Sequence, residues 1–197
     1  MSDLNKKKLE NLIKESNKTK TDLNKDLGNI KTAINIISNC LLNGGKILLC
    51  GNGGSAADAQ HLAAEFLVRL KPNVNRKPIP AISLATDTST LTAMGNDYSF
   101  EKIFSRQCES LVNKGDVVVG ISTSGNSINV KNGLLVSKRK GAKTVGFLGH
   151  KGGHIKNIVD IPLIVNSNST PRIQEVHRTT AHIICEMVEK NISRRSR

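Results

Sequence analysis

Apolar residues recur at spacings of three and four positions in the first 45 residues of the chain. The main series is Leu23, Leu27, Ile30, Ile34, Ile37 and Leu41. This spacing places apolar side chains on one face of an α-helix, and Gly44-Gly45 indicates where that helix ends. A shorter helix is predicted before it, on the positions Leu4, Leu9, Leu12 and Ile13. We expect residues 1–45 to belong to the same domain as the rest of the chain and to lie at subunit interfaces.

From residue 46 onward, short apolar runs alternate with helical patterns. Strands are predicted over residues 46–50, 79–84, 117–122, 143–148 and 161–165. Helices are predicted over residues 55–69, 88–95, 100–113, 127–140 and 172–191. Because strands that alternate with helices form a parallel sheet covered on both faces, we predict an α/β fold with a doubly wound, five-stranded parallel sheet. We place this core at residues 46–192 and a basic tail at residues 193–197.

The length of 197 residues is enough for one domain with its own core. No run approaches the roughly 18 apolar residues of a membrane span, and the polar N-terminus lacks the apolar core of a signal peptide. We therefore predict a cytoplasmic protein with no membrane partner. The four cysteines contain no C-x-x-C pair and do not indicate a disulfide framework.

The formal net charge of +13 is compatible with nucleic-acid binding, because lysine and arginine attract phosphate backbones. The aromatic content argues against it, since the chain has no Trp, one Tyr and four Phe to stack on unpaired bases. We predict no nucleic-acid partner. An anionic small molecule fits the same charge.

Two loops rich in Gly, Ser and Asn each follow a predicted strand and precede a predicted helix. The first spans residues 51–55 and the second spans residues 122–127. Backbone N–H groups and the positive end of a helix dipole meet at such turns, so each loop is a candidate anion site. Each is equally a turn with a helix cap, which any strand-to-helix connection needs. Neither matches the dinucleotide or P-loop fingerprints, so a nucleotide cofactor is disfavoured.

His61 and Glu65 are four residues apart and share one face of the helix that follows the first loop. They are either a surface pair that supports the helix or a metal-binding or acid/base pair. Further polar groups on the last helix could join them or could be scattered surface positions. These are Gln174, Glu175, His177 and His182. Asn96-Asp97 is a turn signal by itself.

Four blocks in this order resemble the sugar isomerase (SIS) domain family, in particular its members that act on heptose phosphates, over nearly the whole chain. The blocks are residues 51–55 with Asp58, His61 and Glu65, then 95–97, then 121–127, then 172–175 with His182. The resemblance implies a flavodoxin-like, SIS-type sheet and a homotetramer with active sites at subunit interfaces. It also implies cytoplasmic conversion of sedoheptulose 7-phosphate into D-glycero-D-manno-heptose 7-phosphate, the first step of ADP- or GDP-heptose precursor synthesis for lipopolysaccharide, capsule or another surface polysaccharide.

The resemblance further implies one zinc ion per subunit, held by His61, Glu65, Gln174 and His182. The phosphate would be bound by Ser122, Thr123, Ser124 and Ser127. The sugar would be lined by Asn52, Gly53, Gly54, Ser55, Glu65, Asn96, Asp97 and Gln174. Arg69 also falls at a matching position, although Val68 precedes it where the family often has Gly.

Aldose–ketose isomerisation moves a proton between adjacent carbons through an ene-diol, which requires a base and an acid. Our hypothesis is that Glu65 is the base and His182 is the acid. Whether Glu65 serves as ligand, base or both stays open. The alternatives are a non-catalytic SIS-domain regulator that binds a replication-initiation protein, and an isomerase of another sugar phosphate such as arabinose 5-phosphate.

Overall fold

A computed structural model of the protein describes residues 3–195. Its strands are β1 (Ile47–Gly51), β2 (Ala81–Ser83), β3 (Val117–Ser122), β4 (Lys143–Gly149) and β5 (Ile161–Val165). Its α-helices are α1 (Asp3–Thr21), α2 (Leu27–Leu42), α3 (Gly54–Leu67), α4 (Thr88–Asp97), α5 (Ser105–Leu111), α6 (Ile128–Arg139) and α7 (Thr170–Arg195). Short 3₁₀ helices lie at Asp22–Asp26, Phe100–Lys102 and Ile155–Asn157.

The five strands form one parallel sheet in the order β2-β1-β3-β4-β5. This is the flavodoxin-like doubly wound order, so the predicted fold class is confirmed. The chain leaves β1 toward one edge of the sheet and returns at β3 on its other side. Gly51 pairs with Ile121 where these two strands end, which places the loops after β1 and β3 side by side at the switch point.

The two faces of the sheet are covered by different sets of helices. Leu49 and Val119 point into the core beneath α2, α3 and α7, whereas Leu48 and Val118 point into the core beneath α4, α5 and α6. Adjacent strand residues face opposite sides of a sheet, and both sides are buried here. The central strands β1 and β3 therefore consist mainly of continuous apolar runs instead of alternating ones.

The N-terminal region differs from the prediction. Helix α1 has 19 residues and α2 has 16, so the prediction that the first helix is the shorter one is wrong. Leu23 lies in the 3₁₀ helix between them and not in α2. Among the described side chains of α1, only Ser16 is buried, while Leu12 and Ile13 are exposed. Apolar periodicity follows burial, so a helix with little burial gives a weak signal.

Two further helices show the largest differences from their predicted bounds. The single helix predicted over residues 100–113 is a 3₁₀ helix, Phe100–Lys102, followed by the short helix α5. The terminal helix α7 begins and ends outside the predicted 172–191. The last two residues of the predicted basic tail lie outside the described residues.

Over residues 3–195, none of the helices combines the length and apolar character needed to cross a membrane.

Candidate active site

The first loop connects the end of β1 to the start of α3 through two glycines that no other residue could replace without strain. Gly53 has a φ of 54°, which favours glycine. A Cβ on Gly51 would lie 2.7 Å from the Ser55 carbonyl oxygen. The tight turn exposes Gly53 and Gly54 at the helix N-terminus, while Ser55 is buried. An anion can therefore approach the backbone N–H groups at this end of α3.

The second loop brings three of its predicted hydroxyl groups together. Ser122 Oγ lies 2.9 Å from Ser127 Oγ and 3.4 Å from Ser124 Oγ. Gly125, at a φ of 67°, makes the turn possible, and a Cβ there would lie 2.2 Å from the Gly152 carbonyl oxygen. Thr123 is half-buried in the same turn. The clustered hydroxyls at the start of α6 form a second place where an anion can be held.

Asn129, which is not among the predicted site residues, links the first loop to the start of α6. Its side-chain amide and that of Asn52 exchange two hydrogen bonds, each 2.9 Å long. Asn129 is 3% exposed, and its Oδ1 also accepts the Val130 backbone N–H. One signal could have revealed it, because Asn129 shares a helix face with the apolar Val136 seven positions later. A polar residue on a buried helix face requires a partner.

The structure brings together three of the four predicted metal ligands. Helices α3 and α7 pack side by side, and His61 Nε2 lies 2.8 Å from His182 Nε2. His61 Nε2 also lies 3.4 Å from Glu65 Oε1. One ligand atom from each residue lies within 4.8 Å of the other two. His61 and Glu65 are therefore more than a surface pair on one helix, because an imidazole from a distant part of the chain completes the cluster.

The cluster fits a zinc ion by its chemistry and by its distances. Two imidazoles and a carboxylate are common zinc ligands, and ligand atoms about 2.0–2.1 Å from a tetrahedral ion lie about 3.3 Å apart. The His61–Glu65 separation matches this spacing. The two imidazole nitrogens would need to move apart by about 0.5 Å to reach it.

Gln174, the fourth predicted ligand, lies in the same groove as His182. The groove has a volume of about 580 Å³, and Gly54, Asp58 and Arg178 also line it. The Gln174 amide lies against Gly54, where a Cβ would come within 2.4 Å of its Nε2 atom. Asp58 is buried, and its Oδ1 accepts hydrogen bonds from the Arg178 guanidinium at 2.9 and 2.5 Å. The groove thus runs from the first loop to His182, one member of the three-residue cluster.

The other polar residues of α7 support packing. His177 is 2% exposed, lies edge-on to Phe147, and donates from Nε2 to the Leu148 carbonyl oxygen. Burial lowers the pKa of His177 to about 4, so this imidazole is neutral at physiological pH. Glu175 accepts a hydrogen bond from Ser16 Oγ on α1. These two positions therefore hold α7 in place and do not join the cluster.

Asn96, Asp97 and Arg69 are not brought into the groove by a single chain. Asn96 and Asp97 end α4, are exposed, and form a hydrogen bond with each other. Arg69 is exposed just beyond the end of α3. None of the three lines the groove between Gly54 and His182.

The model of the SIS domain family matches residues 11–149, which include both loops and the His61–Glu65 pair. The chain belongs to the SIS domain family. This match and the relatives below confirm the family resemblance inferred from the four sequence blocks.

Several similar proteins are named as phosphoheptose isomerases. The one from Geobacter sulfurreducens is 54% identical over 165 residues, which cover 84% of this chain and 86% of that protein. The one from Aliarcobacter butzleri is 52% identical over 164 residues, covering 83% and 86%. Among solved structures, phosphoheptose isomerase GmhA from Neisseria gonorrhoeae superposes with a TM-score of 0.87 at 39% identity, over 94% of this chain and 98% of that one. A phosphoheptose isomerase from Francisella tularensis gives a TM-score of 0.89 at 34% identity, over 96% and 100%.

Proposed function

We propose that this SIS-domain protein is a sugar-phosphate isomerase that converts D-sedoheptulose 7-phosphate into D-glycero-D-manno-heptose 7-phosphate. The observation that carries the proposal is the convergence of His61, Glu65 and His182 beside a groove that begins at the first Gly/Ser loop. The relatives named above as phosphoheptose isomerases support the substrate class. The alternatives of a regulator and of another sugar-phosphate isomerase gain no support from these relatives.

The chemistry requires one group to remove a proton from carbon and another to protonate the neighbouring position. Glu65 is the only carboxylate among the three clustered residues, and we assign it as the base that takes the C–H proton. His182, from the opposite helix, is assigned as the acid that exchanges a proton with the substrate oxygen. Each such group contributes about 10²–10⁴-fold to the rate. His61 contacts both Glu65 and His182 and so fixes their side chains relative to each other.

The serine loop supplies the remote binding energy of this reaction. We propose that the hydroxyls of Ser122, Ser124 and Ser127, with Thr123, bind the substrate phosphate at the start of α6. The hydrogen bonds between Asn52 and Asn129 fix this loop relative to the first loop. Fixing the phosphate at one end restricts where the carbonyl end can lie, which converts binding energy into orientation at the reacting carbons.

His61, Glu65 and His182 would hold a zinc ion, and we propose Gln174 as the fourth ligand. When bound, zinc would supply Lewis-acid polarisation of the substrate oxygens and stabilise negative charge that develops on them. Glu65 and His182 would then each serve both as a ligand and in proton transfer. The fit of the ligand spacing described above supports this proposal.

We further propose that the functional unit is a cytoplasmic homotetramer in which a neighbouring subunit completes each site. Asn96, Asp97 and Arg69 are exposed and apart from the groove of their own chain, as expected of groups that act across an interface. Large apolar side chains are also exposed near them, including Tyr98 and Phe100 at 60% and 62%. Large apolar side chains exposed close together mark interaction sites on protein surfaces.

The test is a direct assay of the purified protein with sedoheptulose 7-phosphate, following the aldose product. Metal-free protein, prepared with a strong chelator, should be inactive and should regain activity with Zn²⁺. Other ketose and aldose phosphates, arabinose 5-phosphate among them, should be assayed side by side. Absence of aldose product from the zinc-loaded protein would refute the proposed function.

A further inference from the structure

A buried ion pair between Arg76 and Glu189 lies where α3 ends. The Nε and Nη2 atoms of Arg76 are each 2.7 Å from Glu189 Oε1, and the two side chains are 5% and 4% exposed. Burying two charges is unfavourable unless their remaining hydrogen-bonding groups are also satisfied. The other partners of this pair therefore show which parts of the molecule it holds together.

Arg76 binds the end of the helix that carries His61 and Glu65. Its Nη2 atom donates a hydrogen bond of 2.8 Å to the Glu65 carbonyl oxygen. The last carbonyl groups of an α-helix lack partners within the helix, and a cation near them interacts favourably with the helix dipole. The neighbouring carbonyls of Ala64 and Phe66 accept backbone N–H groups instead. Arg76 thus completes the hydrogen bonding of the turn that presents the Glu65 carboxylate.

Glu189 connects this turn to the other two parts of the site. It follows His182 by seven residues on α7, and two helical turns return to within about 20° of the same face. Its Oε1 atom also accepts the backbone N–H of Leu70 at 3.2 Å, next to Arg69. One ion pair therefore joins the helix that bears Glu65, the helix that bears His182, and the loop that bears Arg69.

We propose that Arg76 and Glu189 are positioning residues of the candidate active site. They fix the end of α3 against α7, so that Glu65 and His182 stay within reach of the same metal ion. Neither residue lines the groove, so they act through the residues that do. This inference deepens the proposed function and rests on its assignment of His61, Glu65 and His182 to a metal site.

The decisive variant replaces both charges at once, as Arg76→Met with Glu189→Leu. Removing one partner would leave a buried charge unpaired, whereas replacing a buried ion pair by apolar residues of similar volume is often neutral for stability. The double variant should therefore fold, yet it lacks the hydrogen bonds to the Glu65 carbonyl and to Leu70. The matched control is Lys71→Met with Glu186→Leu, an exposed ion pair of 2.5 Å between the same loop and α7.

The readouts are the Zn²⁺ dissociation constant, measured in competition with a chromophoric chelator, and kcat and KM separately. Groups that orient metal ligands typically change metal affinity or activity by about 10–100-fold when they are removed. We expect the double variant to bind Zn²⁺ about 10–100-fold more weakly and to lose kcat by a similar factor. We expect the control to stay within about twofold of the wild type, because an exposed pair contributes little.

Arg76→Lys is the second variant, and it keeps the charge opposite Glu189. An ammonium group lacks the planar fork of arginine and cannot make the same set of bonds, so an intermediate loss of Zn²⁺ affinity is expected. Folded variants with wild-type Zn²⁺ affinity and kcat would overturn the inference, even if their melting temperatures fell. The Zn²⁺ measurement needs no substrate. If the wild type binds Zn²⁺ but does not isomerise the sugar, the proposed function fails while the role of the ion pair is still decided.

Discussion

Asn52 and Asn129 exchange a pair of hydrogen bonds that ties the loop after β1 to the helix after β3. The two residues lie 77 positions apart in the chain, and the pairing of β1 with β3 brings them together. Because the Asn129 side chain is buried, its Nδ2 group needs an acceptor within the protein, and Asn52 Oδ1 is that acceptor. This reciprocal contact therefore adds a side-chain link between two candidate anion-binding loops that the pairing of β1 with β3 already places side by side.

The first prediction concerns this contact. Asn52→Ala removes the acceptor of the buried Asn129 Nδ2 group, while Asn129 Oδ1 keeps its bond from the Val130 backbone N–H, and the lost bond should lower the free energy of unfolding by about 1–3 kcal/mol. Because the loops lose their connection, KM for the sugar phosphate should also rise. Urea denaturation and steady-state kinetics measure the two effects. Asn132→Ala is the control, since it removes an exposed amide contact on the same helix. Unchanged stability and KM in Asn52→Ala would contradict the prediction.

The second prediction concerns the proposed acid and base. Glu65→Gln keeps the shape of the side chain but removes its basicity, and His182→Asn removes the imidazole. Each should lower kcat by about 10²-fold or more. Single-turnover assays with sedoheptulose 7-phosphate at saturating Zn²⁺ separate loss of chemistry from loss of metal. Glu186→Gln, an exposed carboxylate on α7, should retain wild-type activity. Near wild-type turnover in Glu65→Gln would remove Glu65 from the role of base.

The third prediction concerns the turn that gathers the serine hydroxyls. Gly125→Ala places a methyl group 2.2 Å from the Gly152 carbonyl oxygen at a backbone φ of 67°, so the loop must shift. We expect phosphate-dependent binding to weaken about 10-fold or more, since misplacement by about 1 Å can lower activity 10²-fold. Isothermal titration with the sugar phosphate measures this effect. Gly28→Ala has open space in α2 and should be neutral or slightly stabilising. Equal affinities for the two variants would contradict this assignment of the loop.

The fourth prediction concerns pH and stability. Burial lowers the pKa of His177 from 6.5 to about 4. As the pH falls through 6.5, the unfolded chain binds a proton at this residue that the folded protein does not bind until about pH 4. Stability should therefore fall as the pH falls across this window, by about 3 kcal/mol in total from this one group.

His177→Phe should remove this contribution, since an aromatic ring of similar size has no proton to bind. Urea denaturation of the wild type and the variant, at several pH values across the window, measures the difference in slope. His154→Gln, which replaces an exposed imidazole, is the control and should follow the wild type. The same pH dependence in His177→Phe and the wild type would show that another group is responsible.

Much of the fold could be predicted because its signals are local. The runs Leu48-Leu49 and Val118-Val119 are apolar in succession because both faces of a parallel sheet are buried. The bounds of β3 and β5 agree with the prediction to the residue. Helix α1 was predicted too short because its side chains are mostly exposed, so burial gives its sequence no clear period.

The candidate site could be predicted only in part. The i,i+4 spacing of His61 and Glu65 indicated a shared helix face, but it was equally consistent with a surface pair. The approach of His182, 121 residues away, favours the metal-binding or acid/base interpretation, which stays a prediction. Asn129 was missed because a polar residue in the first turn of a helix usually serves as a cap or faces solvent. Arg76 and Glu189 were missed because no pattern within one element indicates an ion pair between a loop and a distant helix.

The sequence by itself determined where the strands, the glycine turns and the serine loop lie, because backbone sterics and apolar periodicity act over a few residues. It also determined the family, because four short blocks occur in the order that the family requires. The tertiary structure alone decided which polar groups meet. Helices α3 and α7 are far apart in the chain and are joined by apolar packing across one face of the sheet. Only that packing puts His61, Glu65 and His182 in one cluster, and buries Arg76 with Glu189 beside it.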